Sequence, residues 1–357
     1  MPKLNIPNIY GLQYASPNEP AILLINLGSP RSPEVADVAS YLKTFLMDER
    51  VMSLSVFWRT LLVKGLIVPR RAKYSAANYR AIWDAESESF PLVRHSSALA
   101  AALSSRMSRC VGLAMRYSEP AMDETLEQLV AAGIRQLYVL PLYPHYTRSS
   151  FETAAVHALE RNRALGLGLE MRVLDAFYDH PAYRQVLADS IRPYISPEID
   201  KLVISMHGIP LSHLSGPCRI DNGNTKRCRT ELHAPQQSAT CYRLHCESSA
   251  EFIREDLGLS ADRVELVYQS RLGRHEWMRP YFSDRVKDWA KEGAKRIAVV
   301  CPGFICDCLE TIHEVDVEYK EEFLASGGEE LRYIPCLNSS EAFVSVLEQL
   351  IKEQVSF

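Results

Sequence analysis

Short apolar runs separated by amphipathic stretches organise most of this chain. Four of them, 21–27 (AILLINL), 111–117 (VGLAMRY), 136–142 (QLYVLPL) and 170–176 (EMRVLDA), read as buried strands in a first half. Four more, 201–206 (KLVISM), 263–269 (RVELVYQ), 295–301 (KRIAVVC) and 330–335 (ELRYIP), read the same way in a second half. Between them 121–132, 180–193 and 282–292 carry a helical period, and 339–354 reads as a closing helix. Strands that alternate with helices form parallel sheets covered on both faces. The expectation is an α/β chain with two similar doubly wound domains. A tail is placed at 1–20, the domains at 21–176 and 177–335, and the closing helix in 336–357.

Two segments break the pattern. Segment 49–73 (ERVMSLSVFWRTLLVKGLIVPRRAK) is apolar and basic at once. It reads either as a core helix with basic ends or as a hydrophobic lip that meets a membrane surface or an apolar ligand. Segment 211–247 is long, polar and rich in Cys, Asn, Pro and Arg, too long for an ordinary connection, and reads as a functional insertion.

Composition narrows the function classes. The chain has 357 residues, 47% hydrophobic and 24% charged, which suits two globular domains. A net charge of −4 gives no footprint for nucleic acid. The first residues lack a basic and apolar leader, and no run of about 18 apolar residues spans a bilayer. Nine cysteines without an export signal point to thiols or metal ligands in a cytoplasmic protein.

In α/β sheets ligands sit beyond the carboxyl ends of the strands, so the residues after each run carry the chemistry. These are NLGSP (26–30), RYSEP (116–120), YPHYTRSS (143–150), HGIP (207–210), QSRLGRHEW (269–277) and CPGFICDCLETIHEVDVEY (301–319). The first lacks a full G-x-G-x-x-G, so a dinucleotide site is poorly supported. In the last, a helix beginning near Asp307 stacks Asp307, Glu310, Glu314 and Glu318 on one face, with Leu309, Ile312, Val315 and Tyr319 anchoring another. Each residue has a plain alternative. A lone strand-end His is commonly structural, strand-end tyrosines are commonly core, and Trp277 alone is commonly packing. Convergence of an imidazole, carboxylates, an arginine and aromatics favours a metal-handling site for a large flat ligand.

Taken in order and spacing, these motifs resemble ferrochelatase over roughly 20–354. The resemblance implies two Rossmann-like domains of chelatase type with a porphyrin-binding cleft between them. It implies insertion of Fe²⁺ into protoporphyrin IX to give protohaem, the last step of haem synthesis, with release of two protons. His207 matches the family's proton-accepting histidine, and Glu310 its acidic partner across the cleft. Glu314, and with them Asp307 and Glu318, extends a polar line for metal or protons; His207, Glu310 and Glu314 are the metal-contacting candidates. Oxygen donors hold Fe²⁺ weakly, which suits transfer rather than storage. Arg116 and Tyr117 match residues at the macrocycle edge, where an arginine pairs with a propionate, and Tyr143 and Trp277 match cleft aromatics. Segment 49–73 falls at the lip of the porphyrin mouth, which favours peripheral contact with a membrane. Many relatives have a histidine where this chain has Cys308.

Cys218, Cys228, Cys241 and Cys246 are the four cysteines of the insertion, the number a [2Fe–2S] cluster takes. In animal enzymes one cluster ligand follows the stretch that here is YPHYT, and Arg148 holds that place in this chain, so a cluster here uses other residues. Zinc and four free thiols are the rivals, and the spacing lacks the paired C-x₂-C of structural zinc. Other readings of the whole chain are a coproporphyrin or cobalt chelatase, a non-catalytic tetrapyrrole or metal binder, and a cysteine-based redox sensor.

Overall fold

A computed structural model describes residues 6–214, 239–271 and 276–355. Its contacts divide the chain into two compact units. The first comprises Met1–Leu142, Arg148–Ala176 and Asn338–Phe357; the second comprises Tyr143–Thr147 and Phe177–Leu337. Nine strands are present among the described residues.

In the first unit the sheet has the order β1-β3-β2-β4-β5. The strands are β1 (Ile9–Tyr10), β2 (Ala21–Asn26), β3 (Val111–Met115), β4 (Gln136–Pro141) and β5 (Glu170–Val173). β2 is the centre, parallel to β3 and β4, and all six of its residues are buried. A continuous apolar run is what a parallel strand covered on both faces requires. The residues before 21 do more than trail: Ile9 and Tyr10 pair antiparallel with Gly112 and Val111 as an edge strand. Two residues are too short to show an alternation in the sequence.

The second unit holds β6 (Lys201–His207), β7 (Val264–Gln269), β8 (Arg296–Val300) and β9 (Glu330–Ile334), all parallel, in the order β7-β6-β8-β9. Its core gathers Val203, Val267, Val299 and Leu331 from the strands with Phe282, Trp289, Val315 and Phe323 from the helices. The eight expected strands all form, although β5, expected to be buried, has no buried residue. So do the helices Met122–Ala131, Pro181–Ile191, Phe282–Lys291 and Glu341–Gln354. The last buries Phe343, Val344, Val346, Leu347, Leu350 and Ile351, and its Ser340 side chain caps it by accepting from the Phe343 N–H. It packs on Pro91–Met107 of the first unit.

Two expectations change. Segment 49–73 becomes helix Val56–Leu62, a π-helical turn Val63–Ile67 and the start of helix Val68–Ala81. The core-helix reading fails there, because Val56, Phe57, Trp58 and Leu61 are 66%, 67%, 60% and 56% exposed while Arg59 is buried. The Arg59 guanidinium turns inward to the carbonyls of Met52 and Leu54. The insertion is shorter than 211–247, since Tyr242–Asp256 is a regular helix with Cys241 at its N-cap. Residues 215–238, including Cys218 and Cys228, lie outside the described residues.

Candidate active site

The second unit brings together the ends of β6 and β7 and the helix that follows β8. His207 is the last residue of β6 and stands in register with Gln269, the last of β7. Its Nδ1 lies 2.6 Å from the Gly208 carbonyl. A carbonyl only accepts, so Nδ1 carries the proton and Nε2 keeps its lone pair. Burial lowers the imidazole's pKa; the neighbouring Glu310 carboxylate and the Gly208 carbonyl oppose that without overcoming it. The ring is therefore neutral near pH 7 and ready to accept a proton. Phe304 meets it edge-on, 6.2 Å between centroids.

The acidic helix differs from expectation in its start and in its winding. It runs from Leu309 to Tyr319 as a π-helix, the wide i→i+5 form that is rare beyond a single turn. Asp307 precedes it and leaves the column: its Oδ1 accepts from the Tyr333 hydroxyl and from the Cys336 N–H. The anchoring face also shifts. Thr311 and Val315 are the buried residues, and Tyr319 stacks on Phe282 at 4.1 Å, while Leu309 and Ile312 are only half-buried. Thr311 closes the first turn by accepting from the Cys308 N–H at 2.9 Å. Burial pushes the Cys308 thiol well up, so it stays protonated.

Glu310 lies near His207, and Glu314 follows one turn on with its carboxylate tied down. Oε1 accepts from the Ser270 N–H and the Tyr319 hydroxyl, both at 3.1 Å, and Oε2 from the Ser270 hydroxyl at 2.7 Å. Burial nevertheless pushes Glu314 up to about 7, with the charges of Glu310 and Glu318 adding to the rise against those hydrogen bonds. Glu318 faces outward near His313, 3.5 Å away. Among the described residues no three His, Cys, Asp or Glu side chains form a group that holds a metal ion, so His207, Glu310 and Glu314 do not make a cage.

Gln269 and Ser270 are the residues the sequence reading passed over, although it singled out the stretch that contains them. Gln269 is buried, accepts from the Ser205 hydroxyl and donates to the Glu310 carbonyl at 2.8 Å. Ser270 adopts φ 65°, a left-handed conformation uncommon outside glycine, which brings both its N–H and its hydroxyl to Glu314. The signal was a polar residue ending an apolar strand in register with His207. Trp277 lies against Gly208, where a Cβ would sit 3.4 Å from its ring. Tyr143 follows β4 and is half-buried in the short segment Tyr143–Thr147 that groups with the second unit.

In the first unit Arg116 and Tyr117 follow β3 and line a cavity of about 740 Å³ with Tyr41, Trp83, Phe90 and His157. Neither side chain is idle. Arg116 donates to Asp48 at 2.7 Å and to Thr153 at 3.0 Å, and the Tyr117 hydroxyl donates to Asp48 at 2.8 Å. Asp48 also accepts from the Thr153 hydroxyl and the Arg50 N–H. Burial alone would raise its pKa, but those hydrogen bonds and the Arg116 charge outweigh burial and hold it below the usual range. Asp48 was missed because its partners Arg116 and Thr153 lie 68 and 105 positions along the chain. His157 is pushed down to about 4 by burial first and by Arg116 second.

Comparison with known proteins completes the picture. The family described as Ferrochelatase matches residues 19–355. The chain is 45% identical to a ferrochelatase of Porphyromonas gingivalis, over 93% of this chain and 95% of that one. It is 40% identical to a ferrochelatase of Pseudomonas putida strain W619, over 93% and 98%. Among solved structures, SirB from Bacillus subtilis with Fe³⁺ aligns at a TM-score of 0.51 and 10% identity, covering 95% of this chain and 96% of that one, a likeness of fold alone.

Proposed function

The chain belongs to the ferrochelatase family, and from that premise we propose that it inserts Fe²⁺ into protoporphyrin IX, with His207 accepting a pyrrole proton and Glu310 as its acidic partner. The observation that carries the assignment is the tautomer at His207. With Nδ1–H committed to the Gly208 carbonyl, Nε2 is the free base, and the Glu310 charge favours the imidazolium once the proton arrives. Glu310 and Glu314 pass the metal or the released protons. Glu314, at about 7, exchanges a proton near neutral pH, and Glu318 continues the line outward. Asp307 drops from this route. Arg116 and Tyr117 are proposed as substrate-binding residues, with Arg116 already partnered by Asp48, so a propionate would share the guanidinium rather than take it whole. Tyr143 and Trp277 serve as apolar contacts.

Cys218, Cys228, Cys241 and Cys246 are proposed as ligands of a [2Fe–2S] cluster, which when bound supplies a structural or regulatory link. Of these, Cys241 and Cys246 are buried cysteines outside any disulfide at the start of one helix, five positions apart, which suits ligation. Anaerobic purification followed by visible absorption and by iron and sulfide analysis tests it; a colourless protein without sulfide overturns it. The exposed side chains of Val56–Leu62 support peripheral attachment of a cytoplasmic protein to a membrane. No helix among the described residues is long and apolar enough to cross one.

The test of the main reading is anaerobic incubation with protoporphyrin IX and Fe²⁺ or Zn²⁺, following the porphyrin spectrum. His207→Ala is expected to lower turnover by about 10²–10⁴-fold with porphyrin binding retained. Turnover within a few-fold of the parent protein would rule out the assigned role.

A further inference from the structure

The peptide group joining His207 to Gly208 is held from both sides. Its carbonyl, on His207, accepts from the Tyr242 hydroxyl at 2.8 Å. Its N–H, on Gly208, donates to the Gln269 carbonyl at 2.8 Å. The next carbonyl, on Gly208, is the one that takes the imidazole Nδ1–H. There is no slack at this glycine, since a Cβ would meet the Gln269 carbonyl oxygen at 2.8 Å and the Trp277 ring at 3.4 Å. The imidazole thus points where this clamped backbone points it.

Tyr242 is buried and opens the helix that follows the cysteine-rich segment. A phenol has one proton to give, and here the His207 carbonyl takes it.

We propose that Tyr242 is a positioning residue for the His207 imidazole. This rests on the reading of His207 as the proton acceptor.

The full-length chain is assayed with Zn²⁺ and protoporphyrin IX, and the imidazole tautomer is read by ¹⁵N NMR on histidine-labelled protein, with His207→Ala identifying the signal. Tyr242→Phe is expected to lower kcat roughly ten-fold with both KM values unchanged, and to turn the single His207 tautomer into a mixture. Gly208→Ala disturbs the same peptide from the other side and is expected to give the same pattern, so the test survives if one variant does not fold. Tyr242→Phe with kcat within roughly two-fold and one tautomer overturns the positioning role, and so does a change confined to KM. If His207→Ala keeps its turnover, the proton-acceptor reading falls by itself, while the tautomer measurements still decide the clamp.

Discussion

Two carboxylates, one in each unit, accept several hydrogen bonds each and are shifted in opposite directions. Asp48 accepts from Arg50, Arg116, Tyr117 and Thr153 and is held low. Glu314 accepts from Ser270 and Tyr319 and still sits at about 7. Burial raises both. The difference lies in donors and charges together: Thr153, Arg50 and Tyr117 donate to Asp48 and the Arg116 guanidinium at 2.7 Å adds to them, whereas at Glu314 the charges of Glu310 and Glu318 add to the rise. The first carboxylate is a fixed anion that orients its neighbours. The second changes charge in the range where protons must be handed over.

The largest effect is expected on the first side of that contrast. Asp48→Asn leaves the Arg116 guanidinium, only 14% exposed, without its counter-charge. A destabilisation of about 3–5 kcal/mol is expected in urea unfolding, the usual result of breaking a buried pair. In the parent protein a depressed carboxylate contributes stability above its unfolded pKa and loses it as pH falls through the folded one. The acid limb of the stability curve is therefore expected to flatten in the variant. A loss below about 1 kcal/mol would mean that Arg116 finds solvent or another partner.

On the second side, Glu310→Gln is expected to lower kcat on the order of 10²-fold, because it removes the charge that stabilises the imidazolium. Steady-state kinetics with Zn²⁺ checks it. Glu314→Gln is expected to act mainly on the apparent KM for metal, by a few-fold. Equal effects of the two changes on that KM alone would erase the distinction between inner and outer carboxylates.

Glu314 also makes a stability prediction of opposite sign to that for Asp48. Its folded pKa of about 7 lies above its usual value of 4.5, so its favourable contribution is complete below about 4.5 and is lost as pH rises to about 7. Above pH 8 the Gln variant is expected to be the more stable protein by roughly 1–2 kcal/mol, after allowing for solvent screening. Thermal unfolding at pH 5 and pH 8.5 checks it, and equal stabilities at both would remove the case for a strained carboxylate. The smallest effect is expected at the surface. Trp58→Ser with Arg70→Glu should weaken co-sedimentation with anionic vesicles a few-fold and leave stability unchanged, since Trp58 is 60% exposed.

The fold was legible because its signal is local and repeated. Eight apolar runs at parallel-strand length, separated by helical periods, specify two covered sheets without reference to any distant residue. His207 and Glu310 were legible as candidates, His207 because it ends β6 and Glu310 because it stands in the extended motif that follows β8. What the sequence left open depended on partners far along the chain. Segment 49–73 has the composition of a core helix, and its aromatics stay outside because Arg59 turns inward to the carbonyls of Met52 and Leu54.

Asp307 shares the spacing of the acidic column yet leaves it, drawn to Tyr333 and the Cys336 N–H, 26 and 29 positions away. Asp48 finds Arg116 across 68 positions, and Gln269 finds the Glu310 carbonyl across 41. Local pattern therefore determined which elements form and which faces are apolar, because propensity and burial period act over a few residues. Only the tertiary structure decided which carboxylates are paired, which are stranded among like charges, and where each hydroxyl spends its proton. Those depend on distances of about 3 Å between residues that the sequence places far apart.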